Sequence, residues 1–151
     1  MILRELDEET AALLSATSPT WAAAVPSWQE SMRAARSTVL VALLDGAPVG
    51  VAQLLHADIP EVRNVGVLEE HRGRGIGTAL VREAEHRALP AGRLRLGVGL
   101  DNPQARRLYE RLGYRAVGDP VTTTYEYVDA DGVRRTATET DQMMEKALTA
   151  P

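Results

Sequence analysis

The chain has 151 residues, 44% hydrophobic and 25% charged, with a formal net charge of −4. Those proportions suit one globular domain over residues 1–151 that buries its own core, and the acidic balance argues against nucleic-acid binding. Having no cysteine excludes disulfides, thiolate metal sites and cysteine nucleophiles. No apolar run reaches the roughly 18 residues that span a bilayer, and no basic-then-apolar leader is present, so a cytoplasmic location without membrane contact is expected.

In chain order, Ile2 to Leu6 reads as a first strand running into a helix near Glu8 to Leu14. A loop follows at Ser18-Pro19-Thr20, and Pro26-Ser27-Trp28 opens a second helix to about Arg36. Thr38 to Leu44 and Val49 to Leu55 form a hairpin about Asp45-Gly46. The next strand, about Glu61 to Leu68, breaks its own parity. Val62 is at an even position while Val65 and Val67 are at odd ones, which predicts a bulge near Asn64.

Past an Arg/Gly loop, Ile76, Leu80, Ala84 and Ala88 mark one face of a helix. Leu94, Leu96, Val98 and Leu100 alternate as a strand, and Asp101-Asn102-Pro103 starts a further helix that Gly113 stops. Val121 to Val128 and about Gln142 to Leu148 close the chain as strands, with a turn at Asp129-Ala130-Asp131-Gly132. That turn lacks the remaining ligands of a calcium loop, and no metal site is expected. The order of elements predicts an α+β fold, a mixed α/β sandwich.

The loop Arg72-Gly73-Arg74-Gly75-Ile76-Gly77-Thr78 enters a helix through glycines, which leaves N–H groups uncovered at its positive end and suits an anion such as phosphate. The dinucleotide fingerprint fails, because Thr78 and Leu80 stand where its last glycine belongs. A P-loop fails for want of lysine, Lys146 being the only one in the chain. R-x-x-G-x-G fits at Arg72, Gly75 and Gly77. This segment resembles the acetyl-CoA motif of the GNAT acyltransferases, the superfamily that moves an acetyl group from coenzyme A to an amine. Asn102 through Tyr109-Glu110 to Gly113-Tyr114 resembles that family's second signature, N-x6-Y-E-x-x-G-F/Y, and Met144 to Leu148 its last strand.

The resemblance implies a central, mostly antiparallel sheet with splayed middle strands and flanking helices. It implies acetyl-CoA as donor, its pyrophosphate on the backbone of Gly73 to Thr78, and the main chain of Val65, Gly66 and Val67 for the pantetheine arm and the acetyl carbonyl. Asn102 would bond that arm, while capping its helix is an equally good use of the same side chain. Tyr109 would protonate the departing thiolate; beside Leu108 and Leu112 it also reads as core. A general base is harder to find. Gly97 stands where some relatives carry a glutamate, and Glu61 matches the position used by others, with His56, Asp58 and Glu126 behind it. Trp21, Trp28 and Tyr125 are the candidate acceptor-site residues, with Tyr127 beside them. A small-molecule primary amine is the expected acceptor. A protein N-terminus or lysine, and a non-catalytic acyl-CoA sensor, remain as alternatives. Homodimers are common in the resembling family, and no feature of this chain fixes one.

Overall fold

The computed structural model describes residues 1–149. Its elements are β1 (Ile2–Glu5), α1 (Glu8–Thr17), α2 (Pro19–Arg33), β2 (Ser37–Leu44), β3 (Ala47–Leu55), β4 (Glu61–Val67), α3 (Ile76–Ala88), β5 (Arg93–Gly99), α4 (Pro103–Arg111), β6 (Arg115–Ala116), β7 (Val121–Val128) and β8 (Arg134–Ala147). The strands make one sheet in the order β1-β2-β3-β4-β5-β8-β6, with β7 also paired to β8. Every pairing is antiparallel except β4 with β5. This is the expected mixed α/β sandwich. Among the described residues, no helix is long and apolar enough to cross a membrane.

Strand alternation explains the two layers of core. Val39, Val41 and Leu43 point to one face and meet Leu14, Trp21, Val25 and Trp28 of α1 and α2. Leu40 and Ala42 point to the other, where Ile76, Leu80 and Ala84 of α3 pack with Leu94, Leu96 and Val98 of β5. The β2–β3 turn holds Asp45 at φ 50° and Gly46 at φ 81°, the left-handed pair that a two-residue hairpin needs.

Two element boundaries differ from the sequence reading. Ser18-Pro19-Thr20 is not a loop. The Ser18 hydroxyl accepts from the Trp21 N–H as N-cap, Pro19 takes the first turn, and one helix continues through Pro26. Pro26 withholds a hydrogen bond, but Trp21, Val25 and Trp28 at i, i+4 and i+7 bury one continuous stripe across it. The last strand starts at Arg134 rather than near Gln142. Its first half pairs with β7 and is largely exposed, so it carries no apolar period to read.

A buried polar anchor ties α3 to β8. Lys146 Nζ donates to both Glu85 oxygens at 3.0 and 3.2 Å, and the Tyr114 hydroxyl donates to Glu85 at 2.8 Å. Burial and this carboxylate both hold the Tyr114 phenol far above its ordinary pKa.

Candidate active site

The parity break in β4 is a bulge. Val51 pairs with Gly66 and Gln53 with Arg63, so Asn64 and Val65 stand opposite the single residue Ala52. Asn64 adopts φ 55°, and its amide donates to Gln53 Oε1 at 2.9 Å. Gln53 in turn donates to Ser37, whose hydroxyl shares a 2.7 Å bond with Ser31. A buried polar chain thus braces the bulge from α2 through β2 and β3.

Beyond the bulge the sheet opens. β4 and β5 pair only at Glu61–Arg95 and Val62–Leu96, then part. The Leu68 N–H donates to Val49 at 2.9 Å, so alternation in the antiparallel ladder turns the N–H of Val67 away from β3 and toward the gap. The Val67 carbonyl, turned the same way, accepts from Arg72 Nε at 3.2 Å. Val65, Gly66 and Val67 therefore lie along one wall of a wedge whose other wall is β5.

The Arg/Gly loop closes that wedge below. Gly73 at φ 76° and Gly75 at φ 82° hold a left-handed path, and Gly75 is the N-cap of α3 with no side-chain cap. The first N–H groups of the helix, at Ile76, Gly77 and Thr78, are thereby left to an outside acceptor. A Cβ on Gly73 or Gly75 would meet nothing within 4 Å, so the loop is open to a ligand. Anion chemistry fits this cradle: uncapped donors, a helix N-terminus, and the flanking Arg72 and Arg74.

Asn102 caps α4, its Oδ1 accepting from the Ala105 N–H at 3.1 Å, which leaves its amide N–H groups free to donate. Tyr109 packs with Ala105 and Leu112 against the α3-side core and meets Tyr114 edge-on at 6.1 Å. Its hydroxyl has no hydrogen-bond partner among the described residues, and burial raises its pKa, which keeps the phenol protonated.

On the other face of the sheet, α2, the bulged part of β4 and the β7–β8 hairpin border a half-open cleft of about 560 Å³. Trp21, Trp28 and Tyr125 all line it, with Tyr127, Asn64, Val65 and Gly66. The hairpin reaches α2 directly, Thr20 Oγ1 donating to the Val128 carbonyl at 3.3 Å. The Tyr125 hydroxyl donates to Glu139 at 2.6 Å, a bond that pushes its pKa up to about 12. The cleft opens on the backbone that forms one wall of the wedge, so wedge and cleft share Val65 and Gly66.

The base candidates are scattered. Glu61 is held by Arg63 Nε at 2.6 Å at the start of β4, outside the cleft lining. His56 is bonded through both ring nitrogens to Thr38 and Ala35, and Asp58 is exposed. Glu126 lines the cleft but lies 3.7 Å from Arg134. The sequence reading began the last strand near Gln142 and so left Asp141 just outside it. Asp141 pairs with Gly99 and shares a strand face with Glu139 and Met143, an alternation readable once the strand is extended.

The acetyltransferase (GNAT) family model matches residues 3–114. Among curated relatives, an uncharacterized N-acetyltransferase of Methanocaldococcus jannaschii is 35% identical over 81 residues. A mycothiol acetyltransferase of Nocardia farcinica is 44% identical over 80. These matches take 47% and 50% of this chain but only 36% and 25% of the relatives' lengths. A ribosomal-protein-alanine N-acetyltransferase from Brucella melitensis superposes with TM-score 0.72 at 22% identity, over 98% of this chain and 100% of that one. An aminoglycoside 6′-N-acetyltransferase complexed with coenzyme A gives 0.64 at 20%, over 100% and 99%. At those identities the likeness is one of fold.

Proposed function

The chain belongs to the GNAT acetyltransferase family, and from that premise we propose that it transfers an acetyl group from acetyl-CoA to a primary amine of a small molecule. The aromatic cleft beside the bulge carries this reading. A volume of about 560 Å³ between Trp21, Trp28 and Tyr125 suits a compact acceptor. A polypeptide would need a groove running past both ends of the cleft, whereas here the hairpin meets the start of α2 at Thr20. The relative named for mycothiol supports a small acceptor over a protein one.

Acetyl-CoA enters as a substrate. Its pyrophosphate rests on the N–H groups of Gly73 to Thr78, with Arg72 and Arg74 beside it, and its pantetheine arm runs along Val65 to Val67 past the Asn102 amide. The Val67 N–H, turned into the gap, stabilises the oxyanion that forms when the amine attacks the thioester carbonyl. Tyr109 donates a proton to the leaving sulfur.

A screen following thiol release from acetyl-CoA over monoamines, amino sugars, polyamines and alanine-initiated peptides tests the reading. Turnover with a compact amine is expected. Signal from peptides alone would overturn the small-molecule assignment, and acetyl-CoA binding without turnover on any amine would make the protein a sensor.

A further inference from the structure

Gly97 and Gly99 of β5 carry no side chain, and neighbouring groups take the space in front of them, Asp101 Oδ1 standing 2.6 Å from the point a Cβ would occupy on Gly99. Their neighbours Leu96 and Val98 point into the α3-side core, so the two glycines face the side of α2. The space a side chain would take at Gly97 is filled from β8. A Cβ there would stand 3.3 Å from Met143 Sδ, 3.6 Å from Asp141 Cβ and 3.9 Å from Asp141 Oδ2. The Asp141 carboxylate also approaches within 3.7 Å of the corresponding point on Gly99. Strand alternation runs Ala137, Glu139, Asp141 and Met143 along this one face, and Tyr125 pairs with Ala137 and bonds Glu139. The β8 face that meets Tyr125 therefore continues past the residues lining the cleft to Asp141, on the strand paired with β5 just beyond the point where β4 and β5 separate.

Resting on the acetyltransferase reading, we infer that Asp141 is the catalytic base that takes the proton from the incoming ammonium. Its carboxylate is half-buried and has no hydrogen-bond or ion-pair partner among the described residues, unlike Glu61, which Arg63 occupies. The charged groups acting on it are Glu139, two residues along its own strand, and Asp101 just past β5, both of its own sign; the β5 residues under it are glycines, and β7 sets Val121 opposite. Burial first, then those two carboxylates, raises its pKa, which strengthens it as a base.

The step balances. The ammonium gives one proton to Asp141, and the freed lone pair forms the C–N bond at the thioester carbonyl. The C–S bond breaks with its electron pair on sulfur, which takes the Tyr109 proton. The nitrogen's surplus proton restores Tyr109, and Asp141 releases its proton to solvent.

Asp141→Asn tests this with the best acceptor from the amine screen, alongside calorimetric titration of acetyl-CoA. At pH 7 kcat/KM should fall at least 100-fold while acetyl-CoA affinity stays within twofold. The wild-type profile should rise as pH rises through the elevated Asp141 pKa. In the variant that limb should vanish and the deficit narrow toward pH 10, as solvent deprotonates the amine. Asp141→Glu should recover part of the rate. Wild-type turnover with an Asp141→Asn profile of unchanged shape would overturn the assignment and leave the acetyltransferase reading standing. No wild-type turnover on any amine would overturn both.

Discussion

Tyr109 has a hydroxyl without a partner and a ring anchored between Ala105, Leu112 and Tyr114. Removing only the oxygen tests whether that placement is chemical or merely apolar. Tyr109→Phe should bind acetyl-CoA as the wild type does and turn over at least tenfold more slowly, by steady-state and equilibrium measurements together. Equal turnover would return Tyr109 to the core. Gly75 allows a second separation. Alanine there is strained by roughly 1–2 kcal/mol at φ 82° but adds no charge. Aspartate adds the same strain and a negative charge where phosphate belongs. If the cradle holds pyrophosphate, calorimetry should give Gly75→Ala a modestly raised Kd for acetyl-CoA and Gly75→Asp no measurable binding. Similar Kd values in two folded variants would remove the phosphate from this loop.

At the scale of elements, legibility followed chemistry that is local in sequence. The Asn64 bulge was readable because a two-residue period cannot place Val62, Val65 and Val67 on one face. The Gly75 entry to α3 and the Asn102 cap of α4 were readable because a helix start needs specific residues. The single helix through Pro26 was missed because a local rule, that proline breaks helices, lost to the burial of Trp21, Val25 and Trp28 along one stripe. The Glu85–Lys146–Tyr114 anchor has no sequence signature, since 61 residues separate Lys146 from Glu85. It fixes α3 against β8, the strand that also carries Asp141. Glu85→Ala would leave a largely buried ammonium and a phenol unpaired, at a cost of about 3 kcal/mol, or roughly 10 °C in Tm. Calorimetric unfolding measures it, and a shift under 2 °C would mean the anchor contributes no stability.

The whole molecule divides its site between two kinds of information. The proposed donor half runs through residues 65–78 and 102–109, two contiguous stretches whose glycines, asparagine and tyrosine can be recognised by spacing. The proposed acceptor half is assembled from α2, the bulge and the β7–β8 hairpin, where Thr20 bonds Val128 across 108 residues. Only register along β8 brings Tyr125, Glu139 and Asp141 onto one face, and register is a product of the fold. The hairpin's outer half is mostly exposed and adds nothing to the two core layers, so its proposed part in holding the acceptor can be tested apart from folding stability. Replacing residues 125–137 by Asn-Gly would close the Thr124–Thr138 pair with a two-residue turn while keeping Glu139 and Asp141. That variant should melt within about 3 °C of the wild type and bind acetyl-CoA within twofold, because neither core layer nor the α3 cradle loses a residue. Its KM for the amine should rise at least tenfold, since the aromatic wall is gone while the base stays on the sheet. An unchanged KM would mean that the amine is held by α2 and β4 alone, and that the hairpin serves some surface other than this cleft.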